Sequence, residues 1–161
     1  MDTKTIESLV REVLRNVGQA PVSASGDKLS VKDYPLQEKR PELVKSRTGK
    51  TLDQLTLDGV KKGEITFDDL RVHPDTLNYQ ASIAEAAGRP ALAQNLQRAK
   101  ELTAVPDEEI LFLYNSLRPY RSSKSDLLGY ADRLEKTYNA TSCAKLIREA
   151  ADVYEKRGML A

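Results

Sequence analysis

The sequence predicts an all-α protein: an open helical bundle preceded by an extended irregular N-terminal arm and, before that, a tethered N-terminal amphipathic helix. Three observations carry this. Apolar residues recur at helical spacing through most of the chain from residue 73 onward. Proline, glycine and Ser/Thr–acid pairs interrupt those runs where helices start and stop. No stretch alternates apolar and polar residues as a half-buried strand does.

Residues 3–17 form the cleanest amphipathic pattern. Ile6, Leu9, Val10, Val13, Leu14 and Val17 follow the i, i+3, i+4, i+7, i+8, i+11 template, and charged or polar residues fill the other side. Asp2 or Thr3 can cap the start and Gly18 the end. GQAPVSASGDKLS follows, with the composition of a flexible linker. The chain therefore divides into a helix over 1–18, a linker over 19–32 and a body over 33–161. Helix, tether and body in that order is the layout of a docking peptide; the alternative is a helix packed onto its own domain.

Within the body, 33–72 reads as the arm and 73–161 as the helical part. From Tyr34 to Thr56 no periodicity stands out, and Tyr34-Pro35, Arg40-Pro41 and Thr48-Gly49 break the chain repeatedly. Such an arm is expected to lie on a partner, which orders it. Leu57–Lys62 fits a short helix capped by Thr56 and closed at Gly63, and Thr66 with Asp69 fits a capping box. A helix is expected from Pro74 to Gly88 with Leu77, Ala81 and Ala84 on one face, and the next from Pro90 with Leu92, Leu96, Ala99 and Leu102 aligned.

The stretch Glu101–Ser122 organises the rest. Val105 is pushed out of helical geometry by the proline after it, and Pro106 is expected at the first position of a new helix. Asp107, Glu108 and Glu109 suit the dipole of that first turn. Ile110, Leu113, Tyr114 and Leu117 mark one face, and Leu111 and Phe112 carry apolar surface round the side, so this helix should want neighbours on several sides. Arg118-Pro119 stops it. Ser123 with Asp126 caps a helix bearing Leu127, Leu128, Ala131 and Leu134 that ends near Asn139. The last helix is expected to set Cys143, Leu146, Ile147, Ala150 and Tyr154 inward and to finish at Gly158.

Composition narrows the function. A chain of 161 residues holds one domain with a real core. Its 25 basic and 24 acidic residues nearly cancel, with no long run of either sign, so a nucleic-acid partner is not expected. Nothing reads as a secretory signal or a membrane span, so a cytoplasmic protein with no membrane partner is expected. His73, the one histidine, precedes a helix-starting proline and suits a cap; Cys143, the one cysteine, lies on an apolar face and suits the core. No cluster of His, Cys and carboxylates points to a metal, and no catalytic set emerges. Arg47-Thr48-Gly49-Lys50-Thr51 fails as a phosphate loop, because Val44 stands where its first glycine belongs. The most function-like group is Arg118, Tyr120 and Arg121 around Pro119, a candidate partner interface as readily as a simple surface turn. The residues alone fit an interaction or structural subunit, with a helical adaptor or scaffold as the alternative.

Several stretches carry a resemblance: Asp33-Tyr34-Pro35-Leu36, TGKTLDQLTLDGVKKGEIT, TLNYQASIAEAAGRPALAQNLQRAKELTAVPDE, YNSLRPYRSS and ADRLEKTYNATSCAKLIREAADVYEKRGML. In that order, from about Asp33 to Leu160, they resemble the small (gamma) subunits of coenzyme B12-dependent diol and glycerol dehydratases. The resemblance implies a helical subunit packed against a large subunit, in a complex holding two copies each of large, medium and small subunits. Such complexes convert 1,2-propanediol to propionaldehyde, or glycerol to 3-hydroxypropionaldehyde, with adenosylcobalamin held by the large and medium subunits. It implies no catalytic, cofactor-binding or metal residue in this chain. The N-terminal helix and linker favour the diol enzyme, since glycerol dehydratase small subunits often begin nearer the Asp-Tyr-Pro-Leu motif. Relatives are often enclosed in protein-shelled bacterial microcompartments, so Ile6, Leu9, Val10, Val13, Leu14 and Val17 are expected to form a targeting helix for shell proteins.

Overall fold

The computed structural model describes residues 29–161. The amphipathic pattern of residues 3–17 and the linker up to residue 28 lie outside the described residues. The described residues are helical, with no strand among them.

The arm is a string of short turns. It holds three 3-10 turns (Val31–Asp33, Pro41–Leu43 and Leu52–Gln54) and three short helices, α1 (Leu36–Lys39), α2 (Leu57–Lys61) and α3 (Phe67–Leu70). None exceeds five residues, which is why no periodicity shows in the sequence. The caps at Thr56 and Thr66–Asp69 form as expected. Two antiparallel bridges, Lys45 with Thr51 and Ser46 with Val72, fold the arm back on itself. In α2, Gly59 lets Ile65 pack against bare backbone; a Cβ there would stand 2.6 Å from the Ile65 Cδ1.

A polar hub holds this fold. The buried Asp69 carboxylate accepts from Thr48 Oγ1 at 2.5 Å, Thr66 N at 2.7 Å and Thr66 Oγ1 at 2.9 Å, and pairs with Lys50 Nζ at 3.0 Å. Thr48 first, then the Thr66 amide and Lys50, hold its pKa well below the ordinary carboxylate range. The arm is stapled to the body by the buried Thr76, whose hydroxyl accepts from Lys45 N at 3.2 Å and donates to Leu43 O at 3.2 Å. The arm's interior is thus largely polar, and much of its apolar surface faces outward. Leu36 and Ile65 are buried, while Leu57, Phe67 and Leu70 are 69%, 73% and 56% exposed.

The body has five helices: α4 (Pro74–Ala86), α5 (Pro90–Leu102), α6 (Asp107–Ser116), α7 (Lys124–Tyr138) and α8 (Thr141–Arg157). α4 pairs with α5, α7 with α8, and α5 on α8 joins the pairs. The core gathers Val105, Leu113, Leu127, Leu134 and Ile147 around Ala131, Ala140, Ala144 and Ala151. Those alanines let α7 and α8 approach closely. α6 enters through Leu113, and Glu109 ties it to α7 by accepting from Tyr138 Oη at 2.6 Å and pairing with Arg133 at 2.8 Å.

Local signals place the helix ends well. His73 caps α4, its Nδ1 accepting from Asp75 N; Ser123 and Asp126 box α7; Asn139 and Gly158 turn left-handed after α7 and α8. Pro106 is the N-cap of α6 rather than its first residue, because its ψ of 144° is extended. Val105 leaves the helix as expected and is buried in the core. The inner faces keep most of the expected residues, with Ala81, Ala84, Leu127, Ala131, Leu134, Cys143 and Ile147 buried, and depart from expectation at a few positions. Leu92, Leu128 and Leu146 are exposed, while Ala93, Ala144 and Ala151 are buried, because close helix contacts select small residues over large ones. Tyr114, expected on the inner face of α6, is 74% exposed.

Candidate partner interface

Arg118, Tyr120 and Arg121 stand in the turn between α6 and α7, and all three are exposed. The turn is short and its ends are buried, so its backbone must be satisfied from elsewhere. Ser122 Oγ donates to Ser116 O at 2.9 Å, with both serines buried. Tyr154 Oη, from α8, donates to Leu117 O at 2.5 Å, which satisfies a carbonyl in the last turn of α6. Residues 159–161 clasp the other side. Tyr120 N donates to Met159 O at 2.8 Å, and Ala161 N donates to Ser122 O at 3.1 Å.

Held this way, Tyr120 adopts φ +62°, a left-handed conformation unusual for a bulky L residue. Its side chain is nonetheless 66% exposed. Such strain persists only where the surroundings fix it, and it marks functional segments more often than idle ones. Among the described residues, neither Arg118 nor Arg121 has an acidic partner, in contrast to Arg71, Arg133 and Arg148, which are all paired. The turn presents an aromatic ring between two unneutralised guanidinium groups on a fixed backbone. Guanidinium groups and an aromatic ring so placed suit gripping carboxylates or flat apolar surface.

Cys143 and Glu101 are occupied structurally. The Cys143 thiol donates to Arg98 O at 3.5 Å, and burial, then the Glu101 carboxylate, push its pKa up to about 12, which keeps it un-ionised and inert. The Glu101 side chain crosses from α5 to the start of α8, where its oxygens accept from Ser142 N at 3.0 Å and Cys143 N at 2.8 Å. This cap comes from a residue 41 positions away in sequence, so no local pattern reveals it. Among the described residues no three His, Cys, Asp or Glu side chains stand close enough to share a metal ion. Nor is any helix among them long and apolar enough to cross a membrane.

One side of α6 faces outward although the sequence marks its apolar residues for burial. Leu111 and Tyr114 lie on one exposed side of α6 in line with Asp107 and Arg118, at i, i+4, i+7 and i+11. Their helical spacing was legible; that they face away from the core was not.

Comparison with known proteins agrees with this picture of a chain built to be held by others. The family model described as dehydratase small subunit matches residues 29–161. The propanediol dehydratase small subunit of Salmonella typhimurium is 50% identical to this chain, covering 99% of it and 98% of the relative's own length. The propanediol dehydratase small subunit of Citrobacter freundii is 49% identical with the same coverage. The chain belongs to the dehydratase small-subunit family.

Proposed function

We propose that this chain is the small, non-catalytic subunit of a diol dehydratase that converts 1,2-propanediol to propionaldehyde, with glycerol to 3-hydroxypropionaldehyde as the related reaction. The observation that carries this is its end-to-end similarity to two propanediol dehydratase small subunits. Its partners in this reading are a large and a medium subunit, two copies of each of the three. Adenosylcobalamin supplies the radical chemistry in such enzymes. The residues here do not fit that cofactor: the one imidazole is His73, half-buried and engaged as the cap of α4. In this reading cobalamin and substrate belong to the larger subunits, and this chain contributes packing. The test is assembly and turnover. The purified chain alone should show no dehydration of either substrate with adenosylcobalamin added, and activity should appear only with the large and medium subunits. Turnover by the chain alone, or failure to join those subunits, overturns this reading.

The same reading places the enzyme in the cytoplasm, inside a microcompartment, with residues 3–17 as the tag that docks on shell proteins. The support is the unbroken apolar face of Ile6, Leu9, Val10, Val13, Leu14 and Val17, followed by a linker-like composition. A lone helix of about 15 residues is marginal in water, so it gains most of its stability on docking. Each fully buried side chain contributes roughly 1.5–3 kcal/mol, against the ordering cost of the backbone. Replacing Leu9 and Leu14 by Asp should leave an assembled, active dehydratase that fractionates outside purified shells. Normal encapsulation of the double variant rules out the tag; collapse of the complex assigns the helix to the subunit's own packing.

A further inference from the structure

We infer that an exposed strip running from Phe67 along α6 to the Tyr120 turn docks this subunit on a larger dehydratase subunit, whose matching surface is apolar at its centre and acidic opposite Arg118 and Arg121. The inference rests on the reading of the chain as a dehydratase small subunit and adds the surface and the chemistry that faces it.

The strip is assembled from three elements. On α6, Asp107, Leu111 and Tyr114 share a face with Arg118, flanking the side on which Leu113 is buried. Leu111 and Tyr114 are among the most exposed large apolar side chains of the body, at 69% and 74%. At the upstream end Asp107 is bridged by Arg71 of the arm. The Arg71 guanidinium also lies over the Phe67 ring, 5.2 Å from its centre. One arginine thus joins the outward-facing apolar surface of the arm to that of α6. At the downstream end the clasp of residues 159–161 holds Tyr120 outward.

Charge selects the occupant. Arg71 is shared by Asp68 and Asp107 at the upstream end, whereas Arg118 and Arg121 at the downstream end have no acidic partner among the described residues. The strip is therefore apolar for most of its length and positive at one end. Two cations beside a fixed tyrosine are too few for a nucleic-acid track and suit discrete carboxylates. Tyrosine and arginine are also the residue types that dominate the energetics of protein interfaces. The carboxylates that a second copy would set against those arginines from this strip, Asp68 and Asp107, are both already engaged by Arg71, so free carboxylates on a different partner suit them better.

The wild-type chain should be probed by hydroxyl-radical footprinting alone and assembled with the large and medium subunits. Phe67, Leu111, Tyr114 and Tyr120 should be oxidised in the free chain and protected several-fold in the complex, while Leu146, exposed on α8, stays reactive. Two double variants complete the test: Leu111→Ser with Tyr114→Ser, and Arg118→Glu with Arg121→Glu. Each changes exposed residues and should keep the helical circular dichroism while weakening assembly by at least about tenfold. An intact complex in which the strip remains reactive, with both variants binding normally, overturns the surface but not the function. Failure of the wild-type chain to join the larger subunits overturns both. A dimer of the isolated chain that protects the strip assigns it to a second copy and overturns the inference.

Discussion

Truncating Leu127 to alanine is expected to cost about 3 kcal/mol of the isolated chain's stability, while the same truncation at Leu128 costs less than about 1 kcal/mol. The two residues are neighbours on α7 with identical chemistry and propensity. Only position differs: Leu127 is fully buried in the core, and Leu128 is 38% exposed. Removing the Leu127 side chain forfeits its transfer energy and leaves a cavity. That cavity cannot collapse easily, because the alanines beside it already hold α7 and α8 at close approach. For a domain of this size the loss corresponds to a fall in melting temperature of roughly 10 °C. Urea titration of both variants, with parallel slopes, measures the difference. Equal losses at the two positions would mean that the register of α7 against α8 is wrong.

That pair shows why part of the fold is legible from sequence and part is not. The spacing of Leu127, Leu128, Ala131 and Leu134 identifies a helix, since three- and four-residue steps are a local property. It does not say which neighbour points inward, because both leucines fit an apolar stripe. The same ambiguity sets Leu146 outside and Ala144 inside on α8. Apolar patterning weights large side chains, whereas a tight helix pair is built on small ones. Caps were readable for the opposite reason: Ser123–Asp126, Thr66–Asp69 and His73–Asp75 close within three residues. The boxes at Ser30–Asp33 and Thr51–Gln54 follow the same rule, but each opens a 3-10 turn too short to leave an apolar repeat behind it.

The candidate interface divides likewise. Arg118, Tyr120 and Arg121 stood out as residue types that binding surfaces favour, grouped around a proline. The backbone that fixes them is made by Met159 and Tyr154, more than 30 residues downstream, and no sequence pattern announces that clasp. Nor does any pattern announce that Arg71 reaches Asp107 and so connects the arm to α6. Apolar residues left outside, such as Phe67 and Leu111, look in sequence like ordinary core candidates. Their meaning appears only once the fold has declined to bury them.

The Glu101 cap carries the second large stability effect. Glu101→Ala is expected to cost about 1–2 kcal/mol at neutral pH, and Glu101→Gln about half as much. α8 begins at Thr141 after Ala140, which has no side chain able to cap it, so the amides of Ser142 and Cys143 depend on a remote acceptor. Glu101 supplies both oxygens, and its charge meets the positive end of the α8 dipole. The half-buried carboxylate keeps the cost at the lower end of the range for charged hydrogen bonds. Glutamine retains one acceptor but loses the charge. Burial alone would raise the Glu101 pKa; the Cys143 and Ser142 amides outweigh it and leave the carboxyl below its ordinary value. A depressed folded-state pKa fixes the sign of the pH dependence. The stabilisation is complete above the unfolded value of about 4.3 and is lost as pH falls through the lower folded value. The gap between wild type and Glu101→Ala, measured by urea titration, should therefore be widest at pH 7 and narrow steadily below about pH 4. A gap that is unchanged in acid would show that the charge contributes nothing, and that packing of the side-chain stem accounts for the whole effect.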